Sequence, residues 1–194
     1  QAQMDIFEQY FYDLNQFLRI PGNDGAYSNM VDILQEKINI FEVNSGSIGV
    51  TGNMFALNAN VYRLGSIQDN QGNEIEKLEH KDFERAVNSP LTSPSRSRPI
   101  CFVLGNVVTI SPDGITPVNV FYVRRPADAA WGYEVVNEKA IYNATRSADF
   151  QLHPSEETDL VIKILALAGV SMEDQLLIQT AAQEDVKNTK QEKQ

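Results

Sequence analysis

The sequence predicts an α+β fold with an N-terminal helical hairpin, a central antiparallel β-sheet and C-terminal helices. Three observations predict it. Apolar residues recur at helical spacing from Phe7 to Leu18 and again from Tyr27 to Ile38. Between Ile40 and Arg125 the chain turns to β-branched and aromatic runs divided by Gly, Asn and Pro. From Ser155 onward acids are followed by a long apolar stretch, the pattern of another helix. Helices, then strands, then helices is the order of an α+β domain rather than of alternating βαβ units. The segments expected are 1–39 for the N-terminal helices, 40–150 for a β-rich core with a short helix and a Ser/Pro loop, and 151–194 for the C-terminal helices and a polar tail. Together they read as one domain with extensions.

In the first helix Phe7, Tyr10, Phe11, Leu14, Phe17 and Leu18 share one face, with Glu8, Asp13 and Gln16 opposite. "IPGNDG" at 20–25 stops it, and Tyr27, Met30, Val31, Leu34 and Ile38 repeat the period in a helix starting near Ser28 or Asn29. A short linker between two such helices predicts a hairpin. "INIFEV", "MFALNANVYRLGSI", "CFVLGNVVTI" and "VNVFYVRR" read as strands of one antiparallel sheet. "SPDGIT" at 111–116 is the strongest hairpin signal, because Pro presets one turn dihedral and Asp-Gly supplies a positive φ. "DNQGNE" at 69–74 is a second turn, "HKDFERAVN" a short helix, and "SPLTSPSRSRP" at 89–99, with three prolines and four serines, an exposed loop. The final third opens a helix at Ser155, places Glu156, Glu157 and Asp159 near its positive end and stops at Gly169. Val161, Ile164, Leu165 and Ala168 form a stripe that Leu160 and Leu167 widen, which predicts a helix covered on more than one side. Ser171 opens a further helix through Leu177 and Ala181, and the polar end from Ala182 is expected to fray.

Composition narrows the function. Over 194 residues, Lys+Arg total 16 against Asp+Glu 26, a net charge of −10 that repels phosphate backbones and anionic lipid surfaces. No apolar run approaches the roughly 20 residues that span a bilayer, and "QAQMDIFEQY" has acids where a targeting segment would be basic. A chain that acts where it is made, with no membrane partner, is expected. Cys101, the single cysteine, sits in "RPICFVLG" as a buried strand residue in a reducing compartment, with no multi-thiolate zinc site.

Catalytic inventory is thin. His80 lies among charges and His153 precedes Pro154 at a helix start; neither has a partner at metal-ligand spacing. "GSIGVTG" at 46–52 lacks the Gly-Lys-Ser/Thr of a phosphate loop and reads as a turn. A hydrolase would need Glu156 or Asp159 brought to another carboxylate by the fold, and the dipole already explains both. The expectation is a protein that is not an enzyme, with no catalytic residue, cofactor or metal.

What the inventory does offer is contact chemistry, in "RRPADAAWGY" at 124–133. Trp131 and Tyr133 either cap the edge of the sheet's core or anchor an interface, where Trp, Tyr and Arg are enriched among energetic hot spots. Arg124 and Arg125 at a strand end suit carboxylates of the fold or of a neighbouring subunit. With the aromatic helix face at Phe7 and Phe11, these are the candidate subunit-interface residues. The Ser/Pro loop and the tail are further candidate patches.

Residues 98–183 resemble the C-terminal half of a family of virion structural proteins of Bacteroidetes tailed phages, including the crAss-like phages. The resemblance lies in the strand Pro99 to Phe102, a hairpin glycine at Gly105, and the strand Tyr122 to Pro126 ending in Arg-x-Pro. It continues in Trp131 to Tyr133 and the helix segment Ile164 to Val170, and "DLNQFLR" at 13–19 is similar to the family's opening helix. It implies a ring or adaptor subunit of the head-to-tail connector, assembling into a cyclic homo-oligomer, a dodecamer if it shares the portal's symmetry. The implied partners are the portal and other neck or tail proteins, with packaged DNA passing only through the lumen. The implied location is the virion, assembled in the bacterial cytoplasm. The other expectation is a cytosolic binding module, such as an assembly chaperone or host-takeover protein, using the same aromatic patches.

Overall fold

A computed structural model describes residues 1–19, 30–171, 179–180, 182–184 and 186–187. The fold is α+β, with antiparallel sheets, N-terminal helices and a C-terminal helix. The chain forms two compact units, one from Phe41 to Arg125 and one combining Gln1–Ile40 with Pro126–Gln194. Residues 126–150, grouped with the β-rich core in the sequence reading, therefore belong with the helices.

The Phe41–Arg125 unit holds seven strands: β1 Glu42–Ile48, β2 Met54–Ala56, β3 Val61–Asp69, β4 Glu76–Lys77, β5 Ile100–Leu104, β6 Val107–Ser111 and β7 Val118–Arg124. They make two sheets rather than one, ordered β1-β7-β3 and β2-β6-β5-β4. All pairs are antiparallel except β4 with β5. Both sheets direct side chains into a single core that includes Phe55, Ile67, Cys101, Val108, Ile110 and Val120. In β7 the period-2 alternation decides this: Val118, Val120 and Tyr122 are buried, while Asn119, Phe121 and Val123 are only partly so.

"SPDGIT" is not a hairpin. β6 is already flanked by β2 and β5, and β7 by β1 and β3, so neither has an edge left for the other. The turn instead carries the chain from one sheet to the other. The hairpin lies one element earlier, where Gly105, at φ 60°, turns β5 into β6. "DNQGNE" does fold back on itself, with Gln68 bridged to Glu74 and the Asp69 carboxylate accepting from the backbone N–H groups of Gln71 and Asn73. This unit's own helix, His80–Asn88, buries Phe83 and sets its ring against Phe102, tilted by 59° with 4.7 Å between ring centroids.

Among the described residues the second unit is organised by the helices α1 Ala2–Phe17, α2 Met30–Asn39 and, numbering His80–Asn88 as α3, α4 Glu157–Ser171. α1 packs on α2 and α4. Its buried face is Ala2, Gln3, Ile6, Phe7, Tyr10 and Phe11, and α2 contributes Leu34 and Ile38. Burial fades toward the end of α1, where Leu14 and Phe17 are half-buried and Leu18 is exposed. An ion pair joins the half-buried Lys37 of α2 to the buried Glu156, whose Oε1 also accepts from Ser155 Oγ. Glu156 is thus a structural partner of Lys37 rather than only a dipole-compensating acid.

Three readings of the last third change. His153, not Ser155, caps the 3-10 turn Pro154–Glu156 that leads into α4, its Nδ1 accepting from the Ser155 N–H. Gly169 does not stop α4, which continues to Ser171. Nor is α4 covered on several sides: Leu160 is buried, but Val161, Ile164, Leu165 and Leu167 are exposed. Residues 182–184 and 186–187 are helical and exposed. The expected "IPGNDG" stop, the start of the second helix at Ser28 or Asn29, and Leu177 and Ala181 of the further helix lie outside the described residues.

Candidate assembly surface

Residues 126–151 form an appendage of the helical unit, organised around a hairpin of β8 Tyr133–Val136 and β9 Lys139–Tyr142. Its two-residue turn is Asn137-Glu138, both at positive φ (49° and 64°), the type I′ geometry whose twist matches paired strands. Tyr133 faces Tyr142, Glu134 faces Ile141, Val135 faces Ala140 and Val136 faces Lys139, with no register shift. Opposed residues share a face. One face therefore holds Tyr133, Tyr142, Val135 and Ala140, and the other Glu134, Ile141, Val136 and Lys139.

The base of the hairpin is fixed by backbone and amide chemistry. Ala130 and Ala148 exchange both N–H to C=O bonds, at 2.9 and 2.8 Å. The Gly132 N–H donates to Ser147 Oγ (3.0 Å), which itself donates to the Asn143 carbonyl (2.8 Å). Over Gly132 lies the 3-10 turn Ala144–Arg146, so close that a Cβ at 132 would stand 2.5 Å from the Arg146 carbonyl carbon. The glycine of "WGY" is required by this approach. Below it, the buried Gln3 carboxamide ties the appendage to α1: Nε2 donates to the Ala127 carbonyl (2.8 Å) and Oε1 accepts the Gln151 N–H (2.9 Å). Gln151 Oε1 completes the ring by accepting the Ala127 N–H at 3.1 Å.

On this support the aromatic face is open. Trp131 stacks on Tyr133 with centroids 5.3 Å apart and planes 24° from parallel. Trp131 is 63% exposed, Tyr133 50%, Tyr142 54% and Val135 67%. An isolated two-stranded ribbon is marginal in water, and apolar area of this extent on a monomer usually marks a contact site. Of the two sequence readings of Trp131 and Tyr133, capping the sheet's core is excluded by that exposure.

The remaining candidate residues divide. Phe7 and Phe11 meet edge to face, centroids 5.2 Å apart, and both are buried, so they offer no surface to a neighbour. Arg124 is half-buried, its guanidinium 5.9 Å from the Phe41 ring centroid, and Arg125 is exposed, its backbone N–H donating to the Asn60 carbonyl. Trp131 and Tyr133 are brought together; the arginines lie in the other unit. What sequence reading missed is that the face continues through Val135 and Tyr142. Alternation across "YEVVNEKAIY" is the signal, masked by an Asn-Glu turn that lacks glycine.

Reactive chemistry is sparse among the described residues. Burial pushes the Cys101 thiol up to about 11, only partly offset by the charge of Lys77, so it stays protonated. Burial would also raise Asp69, but hydrogen bonds from the Asn73 side chain and from the backbone of Asn73, Gln71 and Gly72 outweigh it and hold the carboxyl below its ordinary range. His80 packs edge-on against Phe102 and His153 is a helix cap. No group of three or more His, Cys, Asp or Glu is placed to hold a metal among the described residues, and no described helix is long and apolar enough to cross a membrane. An open depression of about 460 Å³ on the β1-β7-β3 sheet is lined by Glu42, Asn44, Ser66 and Phe121. No family model matches the chain, and no curated protein matches it.

Proposed function

We propose that this chain is a structural subunit that assembles by protein–protein contacts into a cyclic homo-oligomer, as a ring or adaptor in the head-to-tail connector of a tailed-phage virion. The observation that carries the reading is the uncovered aromatic face of Trp131, Tyr133, Val135 and Tyr142 on a regular hairpin. A monomer gains nothing from holding that face in water, whereas burying it stabilises an assembly by about 25 cal/mol per Å². The exposed side of α4, at Val161, Ile164 and Leu165, supplies a second apolar surface. Two different patches are what a heterologous ring contact needs. The virion assignment rests on the resemblance over 98–183, and the net charge of −10 is compatible with a lumen through which DNA slides.

The test is native mass spectrometry of the purified chain together with its location in purified particles. A closed oligomer that is also present in virions is expected. A strict monomer absent from particles would remove the proposal, and a monomer found only in infected-cell lysate would favour the chaperone or takeover role instead.

A further inference from the structure

The strand edges of the molecule are not alike. In the Phe41–Arg125 unit every outer strand is blunted: β1 is bulged between Asn44 and Ser47, β3 at two places, and β2 and β4 are three and two residues long. Bulges and brevity are how proteins prevent strand addition. The β8–β9 hairpin has neither a bulge nor a proline within its strands, and each strand pairs only with the other. Because Val136 and Lys139 flank a two-residue turn, they form a hydrogen-bonded pair, and alternate pairs follow. The backbone N–H and C=O groups of Tyr133 and Val135 on one edge, and of Ala140 and Tyr142 on the other, therefore point outward. None of them bonds to another described residue.

We propose that β9 of one copy pairs antiparallel with β8 of the next, so that the hairpins of a ring join into one continuous sheet. This deepens the ring reading above and rests on it for closure. In the register that joins all four outward residues, Ala140 meets Val135 and Tyr142 meets Tyr133 of the next copy. The aromatic row begun by Trp131 then continues across the joint, a favourable class of cross-strand pair. Pairing β8 with a second β8 in its fully overlapped register would place two Glu134 carboxylates directly opposite, which is destabilising. Pairing β9 with β9 leaves every β8 edge open. Only the β9-to-β8 joint leaves no edge unpaired. Trp131, Tyr133 and Tyr142 are about half exposed, which leaves roughly 75–125 Å² of each to bury out of the ~150–250 Å² an aromatic can contribute, so the joint draws its affinity mainly from the main-chain ladder, as strand addition does.

The experiment uses two full-length variants. Val135→Pro removes an outward N–H from the β8 edge, and Ala140→Pro removes one from the β9 edge; proline is tolerated on such edges. By native mass spectrometry each variant alone is expected to lose assembly, and an equimolar mixture to give a one-to-one pair, since each supplies the edge the other lacks. Either variant assembling alone as the wild type does, or Val135→Pro forming a dimer of itself, overturns the joint. Amide exchange on the wild type decides the matter should either proline unfold the hairpin. The Tyr133, Val135, Ala140 and Tyr142 amides are expected to become protected on assembly, and unchanged exchange there in an assembled ring overturns the joint while leaving the ring intact. A wild type that never assembles overturns both.

Discussion

Replacing Gly132 with alanine tests whether the appendage is organised as described. The new Cβ would lie 2.5, 2.6 and 2.7 Å from the carbonyl carbon, Cβ and carbonyl oxygen of Arg146. Two of these are backbone atoms, held by the Asn143 cap on Thr145 and by the bonds from Arg146 and Ser147 back into the 3-10 turn, so no flexible side chain can swing aside. Overpacking of that kind costs about 1–3 kcal/mol. A two-stranded ribbon has little stability to spare, and even one or two kcal/mol shifts a local equilibrium by a factor of about 5–30. The variant is therefore expected to open the hairpin locally while the Phe41–Arg125 unit stays folded. Amide exchange across Tyr133–Tyr142 should accelerate, the near-ultraviolet signal of Trp131 should fall, and the protection of β5, β6 and β7 should hold. Gly105→Ala is the control, since nothing lies within 4 Å of its Cβ and only its φ of 60° is unfavourable, a cost of about 1–2 kcal/mol borne by the other unit. Unchanged exchange in the hairpin of Gly132→Ala would refute the close packing of residue 146 over residue 132.

Three further outcomes follow from the same structure. Lys37→Met strands the buried Glu156 carboxylate and should cost about 3–5 kcal/mol, whereas Lys37→Met with Glu156→Leu should recover most of it; a thermal-melt double-mutant cycle showing independent effects would contradict the pairing. Because hydrogen bonding holds Asp69 below its ordinary value near 3.9, its stabilisation is complete above that value and is lost as pH falls through the lower folded value. Asp69→Asn should flatten that acid limb in urea melts from pH 7 downward, and an unchanged limb would count against the turn geometry. With its thiol raised to about 11 and its side chain fully buried, Cys101 should resist alkylation at pH 8 until the chain is unfolded, and rapid labelling of native protein would contradict its place in the core.

Local chemistry was legible in the sequence and pairing was not. The α1 and α3 helices follow from apolar residues at helical spacing, and the turn at 69–74 follows from Asp69, Asn73 and Gly72, all within reach of one another along the chain. "SPDGIT" has equally good turn chemistry, yet whether a turn makes a hairpin depends on whether its strands have free edges, and β6 and β7 spend theirs on β2, β5, β1 and β3. Periodicity also says which residues share a face without saying what covers it. Phe7 and Phe11 look like Trp131 and Tyr133 in composition, but Leu34 and Ile38 of α2 add to the core around the former pair, whereas the latter stays open. On α4 the same ambiguity ran the other way: an apolar stripe widened by Leu160 and Leu167 reads as doubly covered, and most of it is exposed. The Asn137-Glu138 turn was missed because positive φ at two consecutive residues is signalled mainly by glycine.

The emission of the chain's one tryptophan, followed through a dilution series beside the mass of the species present, tests the central claim most directly. Trp131 is largely solvated in the single chain and stacks on Tyr133. Emission should move to shorter wavelength in step with oligomer formation and return on dilution. An oligomer whose Trp131 emission matches that of the monomer would show that copies meet elsewhere, and a chain that stays monomeric with the indole exposed at every concentration would show that no such meeting occurs.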